Sequence, residues 1–402
     1  MYHIYTEKCS IIVWKNVALQ ISLFSKYNWF IHCHHRYRSF ILKLIHCADL
    51  HLDSKMESNL STEQANIRKT ELLQTFERMI TYANENDIHQ ILIAGDLFDT
   101  SNSHKTQIKK QIGYDISQNK QIDFYYLRGN HDKNDFFATL DDTYSNLKTF
   151  NDSWTSYKCN NVVITGIELP QKFSDTVYSS LSLSPNDINI VMLHGQIART
   201  PGKEDAPLID LRKLENCNIN YLALGHIHSF QQDKLGKGVW CYSGCLEGRG
   251  FDECGDKGFV VIDIDDNKFQ TKFVPFAKRK IWNVPVKLSG TMSYEQIMNS
   301  IKKETDAIPS DDLVKVTLTG EITEDTDINV DAYLQQFASQ FFFIKIYDET
   351  TIAIDYEKYR KDISLKGEFV RHVEEQTDIS QEEKSKIIIT GLRALANEEI
   401  NL

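Results

Sequence analysis

The sequence predicts an α/β protein in which an at least partly parallel sheet packs against a second sheet. Apolar strands alternate with helical periodicity in the first part of the chain, up to about residue 130. A series of short strands separated by turns then follows from about residue 160. The chain has 402 residues, of which 41% are hydrophobic, so it can bury a large core. Together these observations indicate α/β architecture.

The first strands and helices follow one another in a regular order. "LKLIHCA" has the composition of a buried strand, "IHQILIAGD" of a second and "IDFYYLRGN" of a third. Residues 104–119 form a helical stretch between the second and third strands. Between the first two strands, helical spacing is kept by Leu72, Phe76, Met79, Ile80 and Ala83. Strands that are apolar on both faces are typical of parallel sheets covered by helices.

The rest of the chain shows two further patterns of predicted strands and helices. Six short strands, "NVVITGI", "INIVMLHG", "INYLALGH", "KGVWCYSG", "KGFVVIDI" and "FQTKFVPF", predict a second sheet. A strand-helix-strand-helix-strand pattern then predicts a smaller α/β unit, and two amphipathic helices with a break near Asp378 to Ser380 follow it. The expected organisation is a main domain over residues 42–278, a small domain over 279–360 and a helical segment over 361–402.

The N-terminal stretch, residues 1–41, is expected to lie outside the fold. Its apolar run "IIVWKNVALQISLF" is too short to cross a bilayer and contains Lys15, so no membrane association is predicted. The histidines of "IHCHHRYRSF" lie in a stretch without periodicity or helix caps and are interpreted as adventitious.

Charge and cysteine content restrict the class of protein further. The formal net charge of −11 provides no global positive field for nucleic acid or anionic membranes, so any polyanion must be bound locally. Eight cysteines without framework spacing indicate reduced thiols and a cytoplasmic protein.

Five predicted strands end in acids, amides or histidines. The carboxyl ends of strands in an α/β sheet converge on one crevice, so side chains far apart in sequence can meet there. In an extended chain, residues i and i+2 point the same way, which lets Asp49 and His51 bind one ion together. The strand-end residues are Asp49, His51, Asp96, Asp99, Asn130, His131, Asp132, His194, His226 and His228.

These donors indicate a centre of two metal ions. Carboxylate, carboxamide and imidazole without thiolate suit manganese, iron or zinc. The donors are too many for one ion but suffice for two ions that share a carboxylate, as in phosphate-ester hydrolysis. Each motif alone has a structural explanation, such as a helix cap or a turn at "GNHD". The occurrence of all five in order favours the metal centre.

The motif series D-x-H, G-D-x-x-D, G-N-H-D, H-G and G-H-x-H, over residues 43–230, resembles the calcineurin-like metallophosphoesterase superfamily. The stretch "YSGCLEGRGFDECGDKGFVVIDI" is similar to that of bacterial SbcD-type DNA repair nucleases, most closely the YhaO-like branch. The resemblance implies a four-layer α/β/β/α sandwich with a small α/β capping domain and C-terminal helices. It also implies a cap that helps to present DNA to the active site.

The resemblance implies a role for each motif residue. Asp96 would bridge two divalent ions, for which manganese is expected. His131 would act on the departing sugar oxygen, with Asp99 as its orienting partner, although archaeal and eukaryotic relatives usually carry histidine at the Asp99 position. One ion would be bound by Asp49, His51 and His228, and the other by Asn130, His194 and His226.

The implied function is a DNA exonuclease or endonuclease in DNA repair that uses a two-metal-activated hydroxide. Arg249 and Arg128 are candidate phosphate contacts, although a salt bridge explains Arg128 equally well. The partners implied are DNA, a coiled-coil ATPase of the SbcC type and a second copy of the chain in a homodimer. A phosphodiesterase or phosphatase acting on a non-DNA substrate explains the ligands equally well, and a catalytically silent scaffold is a third interpretation.

Overall fold

The computed structural model describes residues 42–56, 60–99, 106–132, 144–168, 176–197, 207–265, 268–323 and 326–395. The expected N-terminal extension, residues 1–41, lies outside these ranges, so its exclusion from the fold stays a prediction.

The main body begins with β1 (Leu42–Cys47), α1 (Thr62–Glu85), β2 (Gln90–Ala94), α2 (Thr106–Gln118), β3 (Asp123–Leu127), β4 (Leu147–Thr149), β5 (Thr155–Cys159), β6 (Val162–Gly166) and α3 (Thr176–Ser179). It continues with β7 (Ile188–His194), β8 (Gln196–Ile197), β9 (Leu208–Ile209), β10 (Tyr221–Gly225), β11 (Gln231–Leu235), β12 (Gly238–Tyr242), β13 (Gly258–Asp265) and β14 (Lys268–Pro275). The C-terminal part contains β15 (Ile281–Lys287), α4 (Tyr294–Thr305), β16 (Leu313–Thr323), α5 (Val330–Phe337), β17 (Phe343–Ala353), α6 (Tyr356–Lys361), α7 (Leu365–Glu374) and α8 (Gln381–Leu395).

The first sheet has the strand order β14-β13-β1-β2-β3-β4. The four strands from β1 to β4 are parallel, and β13 pairs with β1 in antiparallel orientation. The sequence analysis assigned β13 and β14 to the second sheet, and this was wrong. Strand β13 is buried on both faces, which its apolar sequence indicates, but the choice of neighbour depends on which sheet edge is open.

The second sheet has the order β11-β12-β10-β7-β6-β5 and faces the first. Its central strands β7 and β10 are buried along their whole length. The sequence analysis did not predict its edge strands β5 and β11, nor β4 at the edge of the first sheet. Strand β11 is "QQDKL", with four exposed residues out of five, and such a polar edge strand has no hydrophobic signature.

Apolar side chains fill the space between the sheets and the space under the helices. The inter-sheet core includes Leu44, Leu92 and Tyr221. On the outer face of the first sheet, α1 and α2 bury residues such as Phe76 and Ile112. Helix α1 begins after Ser61, whose side chain accepts the Gln64 backbone N–H in a capping box. The predicted α/β fold class with two packed sheets is confirmed.

A third sheet of three parallel strands, β15-β16-β17, forms the smaller α/β unit. Helices α4 and α5 connect the strands and pack on one face, where Val284, Val316 and Ile344 lie in the core. Because side chains alternate along a strand, Asn283, Lys315 and Lys345 lie on the opposite face.

A buried ionic network joins this unit to α1. Arg68 is 1% exposed and donates to Glu71 at 2.6 Å and to Glu247 at 2.9 Å. Arg279, which precedes β15, donates to Glu71 at 2.7 Å and stacks over Phe342 at 3.8 Å from the ring centroid. Charged groups removed from water must be paired, so the network restricts how the third sheet can lie against α1.

The C-terminal helices pack together around Tyr359, Val370, Val373 and Ile388. The two amphipathic helices predicted from the sequence are α7 and α8, and the helical segment already begins at Tyr356 with α6.

No helix in the described part of the chain has the length and apolar character that crossing a bilayer requires.

Candidate metal centre

The metal-ligand candidates lie where β1, β2, β3, β7 and β10 end. The backbone N–H groups of Asp49 and His51 donate to the carbonyls of Gly95 and Asp96, each at 3.0 Å. The pairing between the chains leaving β1 and β2 therefore continues beyond the strands. It brings Asp49, His51 and Asp96 to one place.

Four of the candidate ligands have a backbone in the left-handed region. The φ angles are 53° for Asp49, 43° for His51, 52° for Asp96 and 100° for His226. Such conformations are uncommon in residues other than glycine, and they concentrate at functional sites where the surrounding structure imposes them. The extended chain expected at Asp49 and His51 is therefore wrong, and left-handed turns bring their side chains into a shared space instead.

Two glycines make this close approach possible. A Cβ atom at Gly95 would overlap the His194 ring, and one at Gly129 would overlap the Asp96 carboxylate. The glycines of "AGD" and "RGN" are therefore needed so that side chains from other strands can lie against the backbone.

The first group of ligand candidates is Asp49, His51 and His228. One ligand atom from each of these residues lies within 4.8 Å of those of the other two. The Nε2 atom of His51 is buried and has no hydrogen-bond partner, which is costly unless a ligand occupies it. The donor set and the unpaired imidazole fit a divalent metal ion.

The second group surrounds Asn130. Its Oδ1 lies 2.9 Å from His194 Nε2 and 3.3 Å from His226 Nδ1. His194 Nδ1 lies 2.9 Å from the Ala94 carbonyl, so this nitrogen carries the hydrogen and Nε2 is left for a metal. Carboxamide and imidazole donors converge here as a second ion requires.

Asp96 lies between the two groups. Its Oδ2 is 3.3 Å from His194 Nε2 and 3.9 Å from His51 Nε2, and its Oδ1 accepts the His131 backbone N–H at 2.9 Å. One carboxylate can therefore face an ion in either group. The structure brings together all seven residues for which metal binding was predicted, while their binding of metal stays a prediction.

The charges of this centre are strongly coupled in the metal-free protein. Burial is the largest single influence on the pKa of Asp96 and raises it, but His194, His51 and the His131 backbone N–H together lower the pKa below its usual value. Burial is also the largest single influence on His194 and lowers its pKa, but Asp96, Asp49 and the Ala94 carbonyl together raise that pKa to about 9. Burial lowers the pKa of His51. The centre thus holds one charged and one neutral imidazole near Asp96.

His131 and Asp99 lie at the rim of the centre. The His131 side chain is 46% exposed, and its Nδ1 is 3.5 Å from Asp99 Oδ1. The same Asp99 oxygen is 3.4 Å from His51 Nδ1. Interaction with His51 is the largest cause of the lowered pKa of Asp99. Asp99 thus faces a ligand candidate as well as His131, and its predicted orienting role stays a prediction.

The two candidate phosphate-binding arginines differ in position. Arg249 lies in the centre, with Nη1 3.8 Å from Asp99 Oδ1 and Nη2 2.9 Å from Glu253 Oε1. Arg128 is paired with Glu168 at 2.5 Å through its Nη2 and also donates through Nε at 2.9 Å. The salt bridge considered for Arg128 is present, and phosphate contact stays a prediction for both residues.

Three buried acids support the loops: Asp132, which was predicted only as a strand-end donor, and Asp53 and Glu253, for which no role was predicted. Asp132 accepts the backbone N–H groups of Leu97 and Phe98, and also that of Gly129. Asp53 accepts the Asp99 N–H at 2.5 Å. Glu253 accepts from His228. These acids could have been recognised in the sequence from their positions in "HLDS", "GNHD" and "GFDE". Their hydrogen-bond partners, however, are determined only by the fold.

A cavity of about 590 Å³ opens onto the centre. Its lining includes Asn130, His131 and His228 on the metal side, and Asp252 and Cys254 on the other. The strand-end groups are therefore accessible from outside.

Comparison with known proteins agrees with this geometry. Residues 42–230 match the family model described as calcineurin-like phosphoesterase. The match supports the calcineurin-like metallophosphoesterase superfamily for this region. This family comprises dimetal-dependent hydrolases of phosphoesters, and the residues of the candidate centre are suited to that chemistry.

Curated relatives extend the similarity beyond that region. The uncharacterized metallophosphoesterase YhaO of Bacillus subtilis is 28% identical over 58% of this chain and 60% of its own length. The DNA double-strand break repair protein Mre11 of Methanosarcina acetivorans is 22% identical over 67% of this chain and 44% of its own. The Mre11 protein of Sulfurisphaera tokodaii is 27% identical over 48% of this chain and 51% of its own length. The chain thus spans between 44% and 60% of these relatives.

Metal binding to the metal-free protein should release protons. At pH 7 His194 is protonated, because its pKa is raised to about 9, whereas a metal ion requires the neutral imidazole. We expect Mn²⁺ binding at pH 7 to release at least one proton per protein and the apparent affinity to rise with pH up to about 9. Calorimetric titration in two buffers of different ionisation enthalpy counts the protons. Binding without proton release at pH 7 would contradict the coupling of His194 and Asp96.

Proposed function

We propose that this protein is a metal-dependent DNA nuclease that hydrolyses phosphodiester bonds at the candidate metal centre. The choice of DNA as the substrate rests on one face of the third sheet, which lies next to the cavity and carries two lysines and a tyrosine. The names of the Mre11 relatives, which are DNA double-strand break repair proteins, support the same substrate.

The centre supplies residues for two ions, for which manganese is proposed because carboxylate and carboxamide oxygens accompany the imidazoles. Two bound cations would activate water for attack on phosphorus and offset the charge of the phosphate. The ligands would be Asp49, His51 and His228 for one ion and Asn130, His194 and His226 for the other, with Asp96 between them.

The surrounding residues would handle the leaving group. The His131 side chain is 46% exposed and lines the cavity, so its imidazole can reach a substrate oxygen there. It would stabilise or protonate the departing sugar oxygen as a general acid. Asp99, 3.5 Å from His131 Nδ1, would keep the other ring nitrogen directed at the substrate.

The face of the third sheet opposite α4 and α5 is suited to a nucleic acid strand. Lys315 and Lys345 are directly paired across β16 and β17, and both ammonium groups lie over Tyr347, at 5.4 Å and 5.6 Å from its ring centroid. Phosphates bind lysines, and bases stack on exposed aromatic rings. The face therefore combines the two interactions that a single strand requires.

This face continues from the cavity. Phe343, in the same strand as Lys345, stacks on Phe251 with ring centroids 5.8 Å apart. Residues 252–254, which follow Phe251, line the cavity. A chain bound along the sheet would thus lead to His131, whereas a small phosphate monoester would not need this surface.

Replacing His131 should separate catalysis from metal binding. We expect His131→Ala to lower Mn²⁺-dependent cleavage of end-labelled duplex and single-stranded DNA about 10²- to 10⁴-fold, because a general acid is lost. The Mn²⁺ affinity should be unchanged, because none of the seven proposed ligands is altered. The measurement is a cleavage time course beside a metal titration.

A nitrophenyl phosphodiester serves as the control substrate for the parent protein. Hydrolysis of this small diester while both forms of DNA stay intact would reject the nuclease and favour a phosphodiesterase with a non-DNA substrate. Failure to hydrolyse either substrate with Mn²⁺ bound would reject both activities for the chain on its own.

Replacing the paired lysines tests the DNA-binding face. Lys315→Ala together with Lys345→Ala should weaken single-stranded DNA binding and reduce the slope of log affinity against log salt by about 1.4, because two phosphate contacts are lost. Hydrolysis of the small diester should not change. The control, Lys302→Ala with Lys303→Ala, removes the same charge from exposed positions of α4 on the covered side of the sheet. Equal effects of the two double variants on the salt slope would contradict the assignment.

We also propose that the C-terminal helices dock on a coiled-coil ATPase of the SbcC type. This segment carries exposed apolar residues: Ile363 is fully exposed and Leu365 is 65% exposed. Exposed apolar side chains on a helical segment are suited to packing against a partner helix.

The docking site can be tested by substitution. Ile363→Asp together with Leu365→Asp should abolish capture of the purified ATPase, whereas the control Ile67→Asp on α1 should leave capture unchanged. Capture of the ATPase by the double variant at parental affinity would contradict this docking site.

A further inference from the structure

We propose that Glu253 is a positioning residue for the metal centre, which holds His228 so that its Nε2 faces the metal ion bound with Asp49 and His51. This inference rests on the metal centre of the proposed function. Glu253 lies in the loop after β12, outside the strand-end motifs, and its side chain is 6% exposed.

The geometry of His228 defines which ring nitrogen is left for the metal. Its Nδ1 lies 2.6 Å from Glu253 Oε1 and 3.2 Å from Arg249 Nη2. A carboxylate can only accept and a guanidinium can only donate, so Nδ1 can satisfy one of them. The shorter contact with the charged acceptor places the hydrogen on Nδ1, which donates to Glu253. The lone pair of Nε2 is then free.

Glu253 is itself held in place on all sides. Its Oε2 accepts the Arg249 backbone N–H at 2.7 Å, and its Oε1 accepts Arg249 Nε at 3.2 Å and Nη2 at 2.9 Å. Lys257 donates to the His228 carbonyl at 2.7 Å, so the backbone of His228 is fixed as well. Glu253 cannot move toward a metal without losing these bonds. It therefore acts through the His228 ring.

Two other imidazoles of the centre, those of His194 and His51, follow the same rule. His194 Nδ1 faces the Ala94 carbonyl at 2.9 Å, and His51 Nδ1 faces Asp99 at 3.4 Å. An acceptor behind a metal-binding histidine fixes its tautomer and ring orientation, and removing such an acceptor lowers metal affinity about 10- to 100-fold. For His228 that acceptor is Glu253.

Arg249 links the two carboxylates that lie behind ligand candidates. It binds Glu253 through Nε and Nη2, and its Nη1 lies 3.8 Å from Asp99, which faces His51. Glu253, Arg249 and Asp99 thus form a chain behind His228 and His51, which belong to the same ligand group. Loosening Glu253 should therefore affect one of the two ions.

The test is titration of the metal-free full chain with Mn²⁺, in the parent and in Glu253→Gln. We expect the variant to weaken one of the two binding events about 10- to 100-fold and to leave the other unchanged. At equal total Mn²⁺ concentration, the electron paramagnetic resonance spectrum should change from that of a coupled manganese pair in the parent to that of a single ion in the variant. The thermal unfolding midpoint of the metal-free variant should match the parent.

The matched control is Glu168→Gln, which removes the carboxylate of another glutamate-arginine pair, with Arg128, and should leave both binding events intact. Equal weakening of both events in Glu253→Gln, with a lowered unfolding midpoint, would assign Glu253 a purely structural role. Two unchanged events would also overturn the inference. If the parent does not bind two Mn²⁺ ions, the proposed metal centre itself fails.

Discussion

The candidate site depends on the Asp96 carboxylate, which lies buried between two groups of imidazoles. A buried carboxylate is costly unless charged or donating groups surround it. Asp96 meets this requirement with the His131 backbone N–H and the neighbouring His194. The strand ends that supply these partners must therefore come together around one side chain. The left-handed turns and the motif glycines are the local adjustments that allow it.

A second layer of acids keeps this arrangement rigid. Asp132 binds the backbone of the loops after β2 and β3, Asp53 holds the backbone of Asp99, and Glu253 holds the His228 ring. Each carboxylate satisfies buried donors that would otherwise be unpaired. The same bonds restrict the directions in which the ligand candidates can point. Stability of the loops and preorganisation of the centre thus come from the same contacts.

In the proposed function, the third sheet would supply a surface for a long substrate. The buried Arg68 network fixes this sheet against α1, and Phe251 stacks on Phe343 beside the cavity. The acidic chain, with its net charge of −11, presents a local pair of lysines there. Local positive charge can bind a polyanion even when the net charge is negative. The sequence analysis did not identify this surface, because the lysines belong to different strands.

The sequence by itself determined the α/β class and the polar residues at the five strand ends. Strand periodicity and the end of an apolar run are local properties, so "HCADLH" and "GNHD" could be identified without any contact information. The tertiary structure decided the pairing of β13 with β1, the position of Asp99 between His51 and His131, and the contact of Glu253 with His228. Each of these depends on which distant segments pack together, and no local pattern specifies that choice.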